Sequence, residues 1–196
     1  MSTAPATGGD EALPRWETLR QDPVADCRVF RVGRKTCRHP VRQREQDFFV
    51  IDSPDWVHVV ARTTTGEIVL VNQFRFGTEE FSLEVPGGIM EPGEEPVTAA
   101  LRELREETGF GGGEARLAAR IRPNSAIQSN SCHLVVIEGV KPLSAVDWDE
   151  HEEIQTVLLP VEEVYRLART GGITHALSLT ALFFFEPTAR AGKSGI

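Results

Sequence analysis

Cysteine, long apolar runs and basic excess are all scarce in this sequence, and each shortage excludes something. Three cysteines occur among 196 residues, Cys27, Cys37 and Cys132. They are odd in number and form no Cys-x-x-Cys pair, which points to reduced thiols in a cytoplasmic protein rather than a disulfide framework. No stretch is both apolar and long enough to span a bilayer, and no segment reads as a secretory signal. The run from Ala181 to Phe185 is too short for a span and reads as a buried helix. The formal net charge is −8 and no basic tract is present, which argues against nucleic acid as a partner. Small anionic substrates stay open, because divalent cations held by acidic side chains reverse the local sign.

What is present is a core-forming apolar share of 40% and one dense stretch, Gly88 to Phe110. Pro96 suits the first turn of a helix and Gly109 a left-handed cap at its end. Between them Val97, Ala100, Leu101, Leu104 and Thr108 recur at helical spacing and predict one buried stripe. Glu103 and Glu107 form an i, i+4 pair beside it, with Glu106 one step around. Three carboxylates so close repel unless they are paired, protonated or joined by a cation. Carboxylate oxygens suit Mg²⁺ or Mn²⁺, and Mg²⁺ keeps positions open for water and substrate phosphates. A solvated acidic helix face is the plain alternative. The Pro86-Gly87-Gly88 turn before the helix, Glu94, and the closing Gly109 favour the metal site.

Gly88, Glu94, Arg102, Glu103, Leu104, Glu106, Glu107, Gly109 and Phe110 fill every specified position of a pattern that resembles the Nudix box. The resemblance implies an α/β/α sandwich with a mixed β-sheet and the box helix. It extends, less specifically, over roughly Phe48 to Phe185. Gln73-Phe74-Arg75, Glu84-Val85-Pro86-Gly87-Gly88 and the late Gly171 to Ala176 segment look like ADP-ribose pyrophosphatases and related nucleoside-diphosphate-sugar hydrolases. The implied reaction is Mg²⁺-dependent hydrolysis of a diphosphate joining a nucleoside to a second group. Metal ligation is expected of Gly88 (carbonyl), Glu103, Glu106 and Glu107, with Glu106 either a ligand or the base. Arg102 is expected to pair with Glu94 and brace the loop on the helix. Arg75, Glu84, Gln128, Asn130 and Trp148 are candidate substrate contacts. The resemblance also implies a homodimer with N-terminal strands crossing to the partner.

One departure stands out. The loop from Pro123 to His133 contains no carboxylate where that group carries a glutamate. Glu152, Glu153 or Glu106 then takes its task, or the substrate differs from ADP-ribose. NADH-like or coenzyme A-like diphosphates are the alternative substrates, and a non-catalytic nucleotide-sugar sensor is the alternative of another class. The intact glutamate set argues against the sensor. His133 reads as a packed strand-end residue and Trp56 as core or dimer packing; Trp16 is a residue that could stack a base, and Trp148, on an acidic loop, is a weak adenine-contact candidate.

Along the chain, residues 1–11 read as a disordered tail, 12–55 as N-terminal strands, 56–188 as the hydrolase domain and 189–196 as a flexible tail. Strands are predicted at Cys27–Val32 and Gln46–Ile51 around a basic loop, Arg31 to Arg44. Trp56–Thr63 and Glu67–Phe76 predict a hairpin. Phe81–Val85, Arg116–Ile121, His133–Glu138 and Glu153–Leu159 predict further strands. Helices are predicted from Pro160 and over Thr174–Phe185.

Overall fold

The computed structural model describes residues 13–144, 146 and 153–191. The chain divides into two compact units, one ending at Asp52 and the other beginning at Ser53.

The first unit is an antiparallel meander of β1 (Glu17–Asp26), β2 (Arg31–Arg38) and β3 (Glu45–Asp52). The basic segment expected to be a loop is largely β2, and the Cys27–Phe30 stretch expected to open a strand is the turn before it. Opposite charges across the strands explain the difference. Arg34 sits 3.1 Å from Asp22 and 3.8 Å from Asp47, Arg38 2.8 Å from Glu45, and Thr36 donates to Asp47. Such pairs stabilise a sheet without the apolar alternation that marks a strand in sequence. Trp16 packs edge-on against His39 and Phe48.

The second unit is built on an eight-stranded sheet. Its strands are β4 (Trp56–Thr63), β5 (Glu67–Arg75), β6 (Glu80–Glu84), β7 (Gly87–Ile89), β8 (Phe110–Gly111), β9 (Glu114–Ile121), β10 (Cys132–Pro142) and β11 (Ile154–Pro160). Its helices are α1 (Pro96–Thr108), α2 (Val161–Thr170) and α3 (Ala176–Ala191). The main path runs β11-β5-β4-β10-β8, with β6 on β5, β7 on β4 and β9 on β10. β4 and β10 are parallel and the other pairs antiparallel, so the sheet is mixed.

Strand alternation sorts the core into two layers. Val57, Val59, Ala61, Val69, Val135 and Ile137 pack under α1 through Ala99, Ala100 and Leu104. Val60, Ile68, Leu70, Leu134 and Val136 pack against Val164 of α2 and Ala181, Leu182 and Phe185 of α3. The result is an α/β/α sandwich. Among the described residues no helix is long and apolar enough to cross a membrane.

Two features position the site. β4 and β5 pair at Ala61–Val69 and Arg62–Ile68; further along, β5 pairs with β6 and β4 with β7. The chain therefore passes from β6 to β7 where β4 and β5 part, and Val59 donates its N–H to the Pro86 carbonyl there. Helix α1 starts on Pro96 and ends on Gly109, whose φ of 72° lets its N–H reach the Arg105 carbonyl. Its buried set is Ala99, Ala100, Leu104, Glu107 and Thr108. Val97 and Leu101 are half-buried rather than central. The face turned to the sheet thus includes a carboxylate.

Candidate active site

Gly87 and Gly88 of the expected Pro86-Gly87-Gly88 turn lie in strand β7. Gly87 pairs with His58 and Gly88 with Val57. Neither glycine has a positive φ, so close approach, not backbone freedom, is what requires them. A Cβ on Gly87 would stand 2.2 Å from the Val57 carbonyl oxygen, and one on Gly88 2.5 Å from Oε1 of Glu103. The missing side chain at Gly88 is the space in which the Glu103 carboxylate lies.

Around that space α1 presents three carboxylates and one guanidinium. Glu107 is buried and accepts the Gly87 N–H at 2.9 Å. Arg102 Nη1 donates to Glu103 at 2.9 Å and to Glu106 at 3.0 Å. Its Nε and Nη2 donate to both oxygens of Glu94, and Nη2 also reaches the Ile89 carbonyl. Glu94 in turn accepts the Glu91 N–H. The fork therefore ties the loop after β7 to the helix, as the Glu94–Arg102 pairing expected. It also bridges two of the site's carboxylates. The hydrogen bonds from Arg102 hold Glu94 below the usual carboxylate range, and those to Glu94, Glu103 and Glu106 raise the guanidinium.

The donor set is entirely oxygen and mostly anionic, which fits a hard divalent cation. Among the described residues no three His, Cys, Asp or Glu side chains form a ready-made metal cage.

A second cluster lies where β4 and β5 part. Glu84 is fully buried at the end of β6. Arg75 clamps it with two parallel bonds, Nε to Oε1 at 2.8 Å and Nη2 to Oε2 at 2.7 Å. His175, just before α3, places Nδ1 2.8 Å from the same Oε2. Burial alone would raise the Glu84 carboxyl, but Arg75 and His175 outweigh it and hold it well below the usual range. The His58 ring lies 5.3 Å from that of His175. Burial, with His175 alongside, pushes His58 down to about 3, so it is neutral. A cavity of about 1440 Å³ opens beside this cluster, lined by Gln73, Phe74, Arg75, Phe81, Glu84 and His175 among others.

Residues 53–181 match the family model of the NUDIX domain. The chain belongs to the Nudix family. It is 28% identical over 138 residues to an ADP-ribose pyrophosphatase of Bacillus subtilis (strain 168), a match covering 70% of this chain and 75% of that protein. A methanol dehydrogenase activator of Bacillus methanolicus is 29% identical over the same shares. A crystal structure of an ADP compounds hydrolase has the same fold, with a TM-score of 0.83 at 24% identity over 95% of this chain and 100% of that one. The protein is thus a Nudix hydrolase, a family that acts on small-molecule nucleotide substrates.

Other residues singled out in the sequence of this Nudix hydrolase have the following places. Asn130 is buried, donates to the Pro54 carbonyl at 3.1 Å, and leaves Oδ1 without a partner. Gln128 is half-buried in the loop, its backbone N–H on the Asn124 carbonyl. His133 is packed as expected, its Nε2 3.1 Å from Asp55, which also accepts the Ser131 N–H. Trp56 packs against the α2–α3 layer. Glu153 lines the cavity, while Trp148 and Glu152 lie outside the described residues. Sequence reasoning missed His58, His175 and Ser178. The signal for His58 was a polar residue inside the apolar run from Trp56 to Ala61.

Proposed function

We propose that this Nudix hydrolase cleaves the diphosphate of a nucleoside diphosphate joined to a second group, with ADP-ribose as the leading substrate and Mg²⁺ or Mn²⁺ as the cofactor. Support comes chiefly from one arrangement: a glycine strand brought against Glu103 and Glu107 of α1, three residues along the chain from Glu84, beside which the cavity opens. The similarity to an ADP-ribose pyrophosphatase supports the choice of substrate.

A bound divalent cation supplies neutralisation of the diphosphate and a more acidic water. Glu103, Glu107 and the Gly88 carbonyl hold it in this reading. Glu106, half-exposed and bonded to Arg102, takes the proton of the attacking water or adds a ligand. Arg102 keeps the carboxylates in place through its fork. Arg75, held on Glu84, is assigned the phosphate and Gln128 a substrate hydroxyl. Asn130 acts by fixing the loop to Pro54. The active unit is a homodimer in this reading, which sedimentation at micromolar concentration checks.

The test is a panel of ADP-ribose, ADP-glucose, GDP-mannose, NADH, coenzyme A and nucleoside triphosphates with Mg²⁺ and with Mn²⁺. AMP and ribose 5-phosphate released from ADP-ribose support the reading. Turnover confined to triphosphates sinks it.

A further inference from the structure

The first turn of α3 reaches across to the segment that carries the two glycines. Ser178 is fully buried, and its Oγ accepts the Val85 N–H at 3.1 Å. His175 Nδ1 lies 2.9 Å from that Oγ and 2.8 Å from Glu84 Oε2. A carboxylate only accepts, so the proton of His175 is assigned to Nδ1. Two consecutive residues of the chain, Glu84 and Val85, are therefore gripped from α3, one by its side chain and one by its backbone. Two positions later Gly87 donates its N–H to Glu107. Beneath Gly87 lies His58, 94% buried by its 6% exposure, with Nδ1 lacking any partner. A Cβ on Gly87 would stand 3.0 Å from that nitrogen. His58 touches His175 on the other side. The segment is thus tied by hydrogen bonds to His175, Ser178 and Glu107, and the His58 ring packs beside His175.

We propose that His175, together with Ser178, is a positioning residue for the hydrolytic site: it fixes Glu84 and Val85 so that the Gly87 N–H meets Glu107. Their effect passes through the backbone from Glu84 to Gly87. Arg75 supports the same grip from β5. The Gly87 N–H is one of the groups that orient the Glu107 carboxylate, so displacing that strand displaces a donor from it. Loss of the latch therefore acts on cation binding and turnover before it acts on substrate affinity. The inference rests on the reading of Glu107 as a member of the hydrolytic cluster.

The test compares His175→Ala, His175→Asn and Ser178→Ala with Tyr165→Phe, all in the full chain. Asn places a donor near the position of Nδ1. Tyr165 donates its hydroxyl to the Leu182 carbonyl, so Tyr165→Phe loosens α3 beyond the turn that carries Ser178. The readouts are amide hydrogen exchange at Gly87, Mn²⁺ binding by electron paramagnetic resonance, and kcat and KM for ADP-ribose. In His175→Ala, Gly87 exchanges at least about ten-fold faster and Mn²⁺ binds about ten-fold more weakly, the scale for a residue that orients a metal ligand. KM stays within about two-fold, and kcat falls with the Mn²⁺ affinity. His175→Asn recovers most of both effects. Ser178→Ala reproduces them and decides the matter if His175→Ala does not fold. Gly87 protection unchanged in both variants, or lost equally in Tyr165→Phe, overturns the proposal. A wild-type protein inert toward ADP-ribose would overturn the substrate reading instead, because exchange and Mn²⁺ binding are read without turnover.

Discussion

The Gly87 backbone N–H donates to Glu107 Oε2 at 2.9 Å, so the strand β7 and the helix α1 meet through a bond from main chain to carboxylate. The carboxylate is buried. Glu107→Gln keeps the volume and removes the charge. Turnover should fall by about two orders of magnitude or more, the scale of losing one electrostatic stabiliser. Steady-state kcat with saturating Mg²⁺ checks this, and an unchanged rate removes Glu107 from the site.

The two glycines make opposite predictions. In Gly87→Ala the new Cβ meets backbone, the Val57 carbonyl at 2.2 Å, so a strand must move. Overpacking of that kind costs about 1–3 kcal/mol or more. In Gly88→Ala the obstacle is the Glu103 carboxyl at 2.5–2.7 Å, the end of a side chain that can swing away. That variant should stay within about 1 kcal/mol of wild type in stability, near the usual range for tolerated changes. Its kcat should still fall about ten-fold or more through the displaced carboxylate. Urea unfolding and kinetics on the pair separate the two effects; equal destabilisation would refute the distinction.

Arg102 holds Glu94, Glu103 and Glu106 with a single planar group. Arg102→Lys keeps the charge but cannot make that fork. A loss of about 2 kcal/mol is expected, on the scale of a charged hydrogen bond left unmade. Added Mn²⁺ should stabilise the variant more than the wild type, because less guanidinium competes for Glu103 and Glu106. Thermal shift with and without Mn²⁺ measures both, and identical shifts would count against the bridge.

His58 gives the pH dependence a definite sign. Its folded pKa is depressed from 6.5 to about 3 by burial. Between those values the unfolded chain binds a proton that the folded protein refuses, so stability rises with pH and falls on acidification. From about pH 7 to 5 this one group should remove about 2 kcal/mol. Glu84 adds to the trend at lower pH: its folded pKa is lowered, so its contribution is full above its ordinary 4.5 and is lost below it. His58→Phe should flatten the slope between pH 7 and 5, measured by urea midpoints. Parallel slopes in the two proteins would assign the effect to other groups.

The readable parts of this chain are those whose cause is local. Pro96 and Gly109 mark the ends of α1, and Gly66, at a φ of 91°, marks the β4–β5 hairpin. The carboxylate set was legible for the same reason, since one helix carries all of it. The strand β2 was not, because Arg34 and Arg38 find their partners on neighbouring strands rather than in an apolar pattern. The Glu84 cluster was hidden by distance along the chain: β4, β5, β6 and the start of α3 each supply part of it. Glu84 and Arg75 were singled out as substrate contacts, and their bond to each other becomes visible with the register that carries β5 alongside β6.

The pairing of β4 with β10 has a temporal meaning. Pro54 and Asn130, or Asp55 and Ser131, are 76 positions apart and must be joined before the parallel strands can form. Closing so long a stretch of chain is entropically unfavourable and slow compared with a hairpin or a helix. On a ribosome, the glutamates of α1 emerge well before the strand that completes the sheet beneath them. A nascent chain halted before residue 132 has every acidic group of the box and no finished floor to set them on. Catalytic competence should therefore arrive late in synthesis, after β10 has docked and the start of α3 has supplied His175 and Ser178.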